Sequence, residues 1–303
     1  MRDRLLTAAL AGNALFSAGT GIILLGASAS VGERAGIGSE RLLALIGALL
    51  VGFAVIVTTQ AVRRWRTALG PVLVSLADIG WVVGTAVILA VASDAFTRVG
   101  VTLMLAVAGV VGGFALAQLV GIARSYGAPG AAAGSYRVCV EVESGSSADT
   151  LWRAVGDLGE ISRFASSLAD SRLRGNAAPG VGAVRECRDG SGHVWAERCT
   201  LYEADERRYE VEFLTGEPGF PFPFCTMTGG WSVEKRPDGA AVRISWNVTP
   251  KRRFLAAFIL PAMDHTVRRS FPDTIQRMAA AEGGVDAYFT VTPSRSRLSA
   301  IGC

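Results

Sequence analysis

The chain has 303 residues, half of them hydrophobic and 18% charged, with a formal net charge of +4, a length that allows two domains of roughly 100–200 residues each. All of the net charge sits before Ala131, where nine Arg face five acidic residues; from there on, 21 basic residues balance 21 acidic ones. The excess is therefore Arg flanking apolar runs, with no basic stripe interleaved with aromatics, which argues against nucleic acid as a partner.

In chain order, residues 1–124 hold four apolar runs, 5–25, 42–60, 71–92 and 99–122. Each meets the length of a bilayer-spanning helix, about 20 residues with few charges, and together they predict a four-helix transmembrane domain. The "RRWR" loop (Arg63, Arg64, Arg66) between the second and third runs is strongly basic, while the loops on either side of it are nearly balanced. The positive-inside rule places that loop, "MRDR" and Arg124 in the cytoplasm. The expected location is thus the cytoplasmic membrane, with both termini and the C-terminal domain inside. A signal peptide ending at "GASAS" is the rival reading of the first run, but the run exceeds the usual ~7–15-residue apolar core of such peptides.

No predicted span carries a His, which argues against a His-ligated haem, and no cofactor is expected. Asn13 and Asp78 fall near mid-span. An ionisable group in hydrocarbon is costly and commonly paired. Asp78 is read as a packing device facing Asn13 or a backbone group, in preference to a proton-transfer residue. Gly109 and Gly113 form a GxxxG pair, the spacing that lets helices approach closely. The bundle reads as an anchor or a platform for an unidentified protein partner.

Residues 125–134 are a Gly/Ala linker. In "YRVCVEVES", Tyr136, Val138, Val140 and Val142 alternate with polar positions, the period of a half-buried strand. Ser147 is placed to cap a helix starting at Ala148, with Asp149 in its first turn and Leu151, Trp152, Val155 and Leu158 on one face. Gly156 and Gly159 predict a break, then a second short helix through Ile161 and Phe164. "GAVRECRDGSGHVWAERCTLYEAD" predicts a hairpin turning at 189–192, with His193 exposed at the turn. "RRYEVEFLTG" and the two runs around "RPDG" predict three more strands. On the last two, Cys225, Met227, Trp231 and Val233 share a face, as do Val242, Ile244, Trp246 and Val248. A final helix between Phe258 and Glu282 carries an apolar stripe of Met263, Val267, Phe271, Ile275 and Met278. Pro261 suits its start and Pro272 a kink or second start. Residues 284–303, Ser/Arg-rich, are expected to be disordered.

Five cysteines (139, 187, 199, 225 and 303) without CxxC spacing read as free thiols of a reducing compartment, and neither they nor the two histidines form a metal cluster. Cys303, being last, is no prenylation site.

This order of elements, with "SADTLWRAVGDLGEISRF", "GAVRECRDGSG", "WAERCTLYEADERRYEVEF" and "GGWSVEKRPDGAAVRISW", resembles the SRPBCC superfamily (START-like, or polyketide cyclase/dehydrase-like) over residues 135–282. Phe164 departs from it, since many members carry Trp there. The resemblance implies an α+β helix-grip domain over 135–283, a curved antiparallel sheet around a long C-terminal helix, with an apolar cavity between them. Inward-facing candidates for lining it are Trp195, Leu201, Phe213, Met227, Trp231, Trp246, Met263, Val267 and Phe271; packing into a solid core is the alternative for each.

Among polar groups, Glu197 shares the face of Trp195, Cys199 and Leu201. It is either a general acid/base or the partner of Arg185 across the hairpin. His265 is the other candidate for proton transfer, facing cavity or solvent. "TGEPGFPFPFC" (215–225) is a stiff aromatic loop that either packs on its own domain, lids the cavity, or dips into the bilayer interface. Three functional readings follow: a membrane-anchored binding protein for a hydrophobic small molecule or lipid, a cyclase/dehydratase-type enzyme on a membrane-soluble substrate, or an interaction module without a ligand. The first is preferred, because no Ser/His/Asp constellation or activated thiol stands out.

Overall fold

A computed structural model describes residues 3–62, 68–128 and 134–283. The topological signal of "RRWR", the middle of the linker, and the tail with Cys303 lie outside the described residues. The described residues up to Ser125 form one compact unit and those from Tyr126 another.

The first unit is helical: α1 (Arg4–Gly26), α2 (Ser28–Ala35), α3 (Glu40–Val62), α4 (Leu69–Ala92) and α5 (Arg98–Ser125). Asp3 caps α1, its carboxylate accepting from the Leu6 amide at 3.1 Å. Four of these helices match the four apolar runs and are long and apolar enough to cross a membrane. They are apolar all round, so most of their surface stays outside the unit; Leu73 and Val91 are 67% and 83% exposed. Helices of that kind are stable only in a larger apolar surrounding. The short α2 has no apolar period to announce it; it ends at Gly36, whose φ of +80° supplies a left-handed C-cap.

Close helix approach occurs at glycines other than the expected pair. A methyl group on Gly21 would stand 2.7 Å from the Gly47 carbonyl oxygen, and one on Gly47 would stand 2.8 Å from that of Gly21. α1 and α3 therefore touch backbone to backbone. Gly121 meets Leu6 in the same way, again at 2.7 Å. Gly109 and Gly113 are exposed with nothing within 4 Å. The GxxxG spacing puts both on one face of α5, but among the described residues no helix lies against that face.

The second unit comprises β1 (Tyr136–Ser144), α6 (Ala148–Val155), a 3₁₀ turn (Ile161–Arg163), β2 (Leu168–Leu173), β3 (Val184–Asp189), β4 (Val194–Glu203), β5 (Arg208–Phe213), β6 (Phe224–Arg236), β7 (Gly239–Pro250) and α7 (Ala256–Ala281). All seven strands are antiparallel in the order β1-β7-β6-β5-β4-β3-β2, curled into a half-barrel around α7. Ser147 caps α6 as expected, accepting from the Thr150 amide at 3.1 Å. Across β1, β7, β6 and β5 the inner face is built from facing pairs: Val138 opposite Trp246, Trp231 opposite Ile244 and Tyr209 opposite Trp231.

Two local readings are corrected, and one strand, β2, has no sign in the sequence. β2 carries no apolar alternation, since its one fully buried side chain is Ser171, which donates to the Gly159 carbonyl at 2.6 Å. A bulge between Phe224 and Thr226 turns Cys225 out of the Met227–Trp231–Val233 face into solvent. α7 begins at Ala256, out of a 3₁₀ turn, and runs unbroken through Pro261 and Pro272. Each proline deletes one helical hydrogen bond, but the stripe of Leu260, Pro261, Val267, Ile275 and Met278 stays buried along the whole length and holds the helix together. Cys187, Cys199 and Cys225 are free thiols, as expected.

Gly21→Val should lower the thermal unfolding midpoint of the full chain in detergent, with the cost of about 1–3 kcal/mol typical of overpacking. Gly113→Ala, with open space around it, should leave the midpoint unchanged. Equal midpoints for the two variants would refute backbone contact at Gly21.

Candidate functional site

The inner face of the sheet combines aromatics with one buried charge pair. In the β3–β4 hairpin Arg185 lies opposite Glu197, and Cys187 opposite Trp195. The Arg185 and Glu197 side chains are only 7% and 5% exposed. They join through Arg185 Nη2 and Glu197 Oε2. Arg185 Nη1 donates to the Leu158 carbonyl at 3.1 Å, and Trp195 Nε1 donates to Glu197 Oε1 at 2.8 Å. The reading of Glu197 as the partner of Arg185 is the one this geometry displays.

Burial works against the charged form of Arg185, but the adjacent Glu197 carboxylate more than reverses this and holds the guanidinium above its ordinary range. Burial, then the Glu197 charge, pushes the Cys187 thiol up to about 12. Burial likewise raises the Tyr209 hydroxyl well above the usual phenol range. Among the described residues, Arg185 Nε and the Tyr209 hydroxyl are buried polar atoms without a hydrogen-bond partner. The carboxylate of Glu197 is thus met by three donors, the third being the Cys187 thiol at 3.9 Å, and the Tyr209 hydroxyl lies beside Arg185, whose charge opposes the effect of burial.

An aromatic layer covers this pair. Phe222, from the proline-rich loop, meets Trp195 edge-on at 5.1 Å and Phe213 at 6.3 Å, and Phe220 at 5.4 Å. Of the readings of that loop, packing against its own domain is the one observed. Further along, Phe271 of α7 sits 5.5 Å from Trp231 and 5.3 Å from Trp246. Phe213, Met227, Trp231, Trp246 and Val267 are buried, whereas Trp195, Met263 and Phe271 remain part-exposed.

Leu201 is the candidate that the structure moves away. A bulge between Cys199 and Leu201 shifts the register of β4, so Leu201 pairs with Glu210 on the outer face and Tyr202 takes the inner position opposite Tyr209. There the Tyr202 hydroxyl donates to the Gly156 carbonyl at 3.1 Å, and its ring stands 5.8 Å from Trp152. His265 is half-buried on α7. Its neighbour Asp264 is the engaged residue: Arg268 Nε donates to it at 2.6 Å and the Tyr126 hydroxyl at 3.2 Å. Burial raises the Asp264 carboxyl, against the pull of Arg268. His193 is exposed at the hairpin turn as expected, with Nδ1 2.9 Å from Asp189. Sequence reasoning missed Tyr202 and Arg268. A bulge leaves no trace in composition, and an Arg on a helix reads as solvent-facing until its partner is known. Among the described residues no group of His, Cys, Asp and Glu could hold a metal ion.

Residues 136–281 match the family model described as polyketide cyclase / dehydrase and lipid transport. This part of the chain, just under half of it, belongs to the SRPBCC superfamily. Solved structures similar to it include a point mutant of Thalictrum flavum norcoclaurine synthase in complex with a transition-state analogue (16% identity, 50% of this chain and 97% of that one, TM-score 0.41). Others are Ara h 8.0201 (14%, 49% and 98%, 0.40) and an uncharacterised protein of Bacillus thuringiensis (17%, 49% and 98%, 0.37). No curated protein matches the chain.

Glu197→Gln leaves Arg185 as an uncompensated buried cation and should cost about 3–5 kcal/mol, read from urea unfolding followed by near-UV circular dichroism. The double change Arg185→Leu with Glu197→Leu should recover most of that loss; no recovery would mean that the pair does not act as a unit. At mildly alkaline pH, iodoacetamide should modify Cys225 and spare Cys187 until the domain unfolds. Mass mapping that finds both modified at equal rates would contradict the placement of Cys187.

Proposed function

We propose that the protein is a membrane-anchored binding protein whose C-terminal domain faces the cytoplasm and takes up a hydrophobic small molecule or lipid. The observation that carries this reading is the inner face itself, an apolar and mostly aromatic surface with Trp195, Met263 and Phe271 still part-exposed. Pockets for apolar ligands are built this way, largely from hydrophobic and aromatic side chains with a few placed polar groups. The family match, whose description includes lipid transport, supports the same ligand class. Four helices long and apolar enough to cross a membrane support the anchor, and the Arg-rich 63–66 loop supports the sidedness.

Binding is preferred over cyclase/dehydratase-type catalysis because of Glu197. A general base must be able to reach a substrate proton and take it up, and this buried carboxylate is held by the Arg185 cation and the Trp195 indole, which favour its charged form.

Native mass spectrometry of the full chain, purified in mild detergent from a lipid-replete host, should reveal a co-purifying apolar mass that denaturation releases. A protein that stays ligand-free after challenge with membrane extract would overturn the binding reading. Sidedness is checked separately through Cys225, which is exposed. A membrane-impermeant maleimide should label it in inside-out vesicles and leave it untouched in right-side-out ones; the reverse pattern would place the domain outside.

A further inference from the structure

The helical unit contains a cavity of about 210 Å³ bounded by α1, α3, α4 and α5. Its wall is apolar and rich in aromatics, including Phe16, Phe53 and Trp81, and Asp78 is the one ionisable residue lining it. The polar neighbours of Asp78 are arranged with a definite sense. Asn13 Nδ2 donates to Asp78 Oδ2 at 2.7 Å, and Gln118 Nε2 donates to the same oxygen at 3.0 Å. Both amides are oriented from behind: Asn13 Oδ1 accepts from the Ser17 hydroxyl at 3.1 Å, and Gln118 Oε1 accepts from Ser75 at 2.9 Å. Asn13 cannot flip without losing its donor, while the single Ser75 proton is shared between Gln118 and the Pro71 carbonyl at 3.0 Å.

The expectation that Asp78 faces Asn13 is borne out, and Gln118, which the sequence reading passed over, completes the cluster. Two donors on Oδ2 leave Oδ1 with no hydrogen bond among the described residues, on a side chain that is 97% buried by its 3% exposure and lines the cavity. A carboxylate used only for packing gains nothing from an unsatisfied oxygen beside a void. The cavity wall also reaches the outer surface, since Leu49 is 64% and Trp81 38% exposed. A solute dissolved in lipid therefore has a lateral way in.

We propose that this cavity is a second ligand site, for a small lipid-soluble molecule that presents one hydrogen-bond donor, an alcohol, phenol or ammonium group, to Asp78 Oδ1. The inference rests on the reading that this unit spans a bilayer. A dry cavity of about 150 Å³ holds benzene, so this one takes a single ring or its equivalent with a short head. The aromatic wall suits either head, as apolar packing for a phenol or as π-faces for an ammonium.

Fluorine NMR on the full chain in lipid nanodiscs tests this with three matched probes: p-(trifluoromethyl)phenol, p-(trifluoromethyl)benzylamine and the donor-free p-(trifluoromethyl)anisole. At least one donor probe should show a saturable protein-bound signal, with the anisole weaker by about tenfold or more, the effect of losing a hydrogen bond to a charged group. Preference for the phenol identifies a neutral head, and preference for the amine a cationic one. Asp78→Asn keeps an acceptor for Asn13 and Gln118 but turns an amide donor toward the cavity, so it should weaken the preferred probe by a similar factor. Ala77→Phe, at an exposed position of the cavity wall, should abolish binding of all three by filling the space.

Equal binding of the anisole, wild-type binding by Asp78→Asn, binding that survives Ala77→Phe, or no saturable signal with any probe would each overturn the proposal. Should Asp78→Asn not fold, the anisole comparison and Ala77→Phe still decide. A chain that does not enter nanodiscs at all refutes the bilayer-spanning reading instead.

Discussion

A carboxylate removed from water must be met by donors, and the inner face of the C-terminal domain is organised around one such case. Glu197 is buried, and its lost hydration is replaced by Arg185 and the Trp195 indole. The pairing fixes the β3–β4 hairpin, because the two residues can meet only if Arg185 and Glu197 stand opposite each other. It also ties the hairpin to the α6 side of the domain, through Arg185 and the Leu158 carbonyl. The aromatic layer of Trp195, Phe213 and Phe222 then closes over the charges, excluding the water that would otherwise screen them.

The helical unit meets the same constraint with a different solution. Asp78 has no basic partner among its hydrogen-bond donors; two neutral amides serve one oxygen, and each amide is held by a serine. Interhelical hydrogen bonds of this kind also hold a bundle together where surrounding lipid is as apolar as the side chains. The remaining cohesion comes from backbone contact at Gly21, Gly47 and Gly121, where small residues let dispersion act at close range.

Much of this was legible in the sequence because it depends on period and length. Four long apolar runs, the Ser147 cap, the alternation in β1 and β7 and the stripe of α7 are properties of segments, and each appears where expected. What escaped depends on single residues and on neighbours. One extra residue in β4 turned Leu201 out and Tyr202 in; one in β6 exposed Cys225. β2 is held by pairing with β3 and by Ser171, with no apolar pattern of its own. GxxxG spacing named a face of α5 but not whether a helix lay against it, and a lone Gln in an apolar run gave no sign of the carboxylate it meets. For the site, Glu197 was singled out correctly as buried, and its partner was among the alternatives. The sequence alone could not choose between them, because the choice depends on whether Oε1 and Oε2 are already taken.

That choice bears on function. Replacing a buried ion pair by well-packed apolar residues is often neutral or stabilising, so what Arg185 and Glu197 add is the hairpin register that their pairing fixes. The Tyr209 hydroxyl lies beside the Arg185 guanidinium, whose charge works against the effect of burial on it. Under the proposed function, the charge pair is the orienting element of the cup, and the surrounding aromatics supply the affinity.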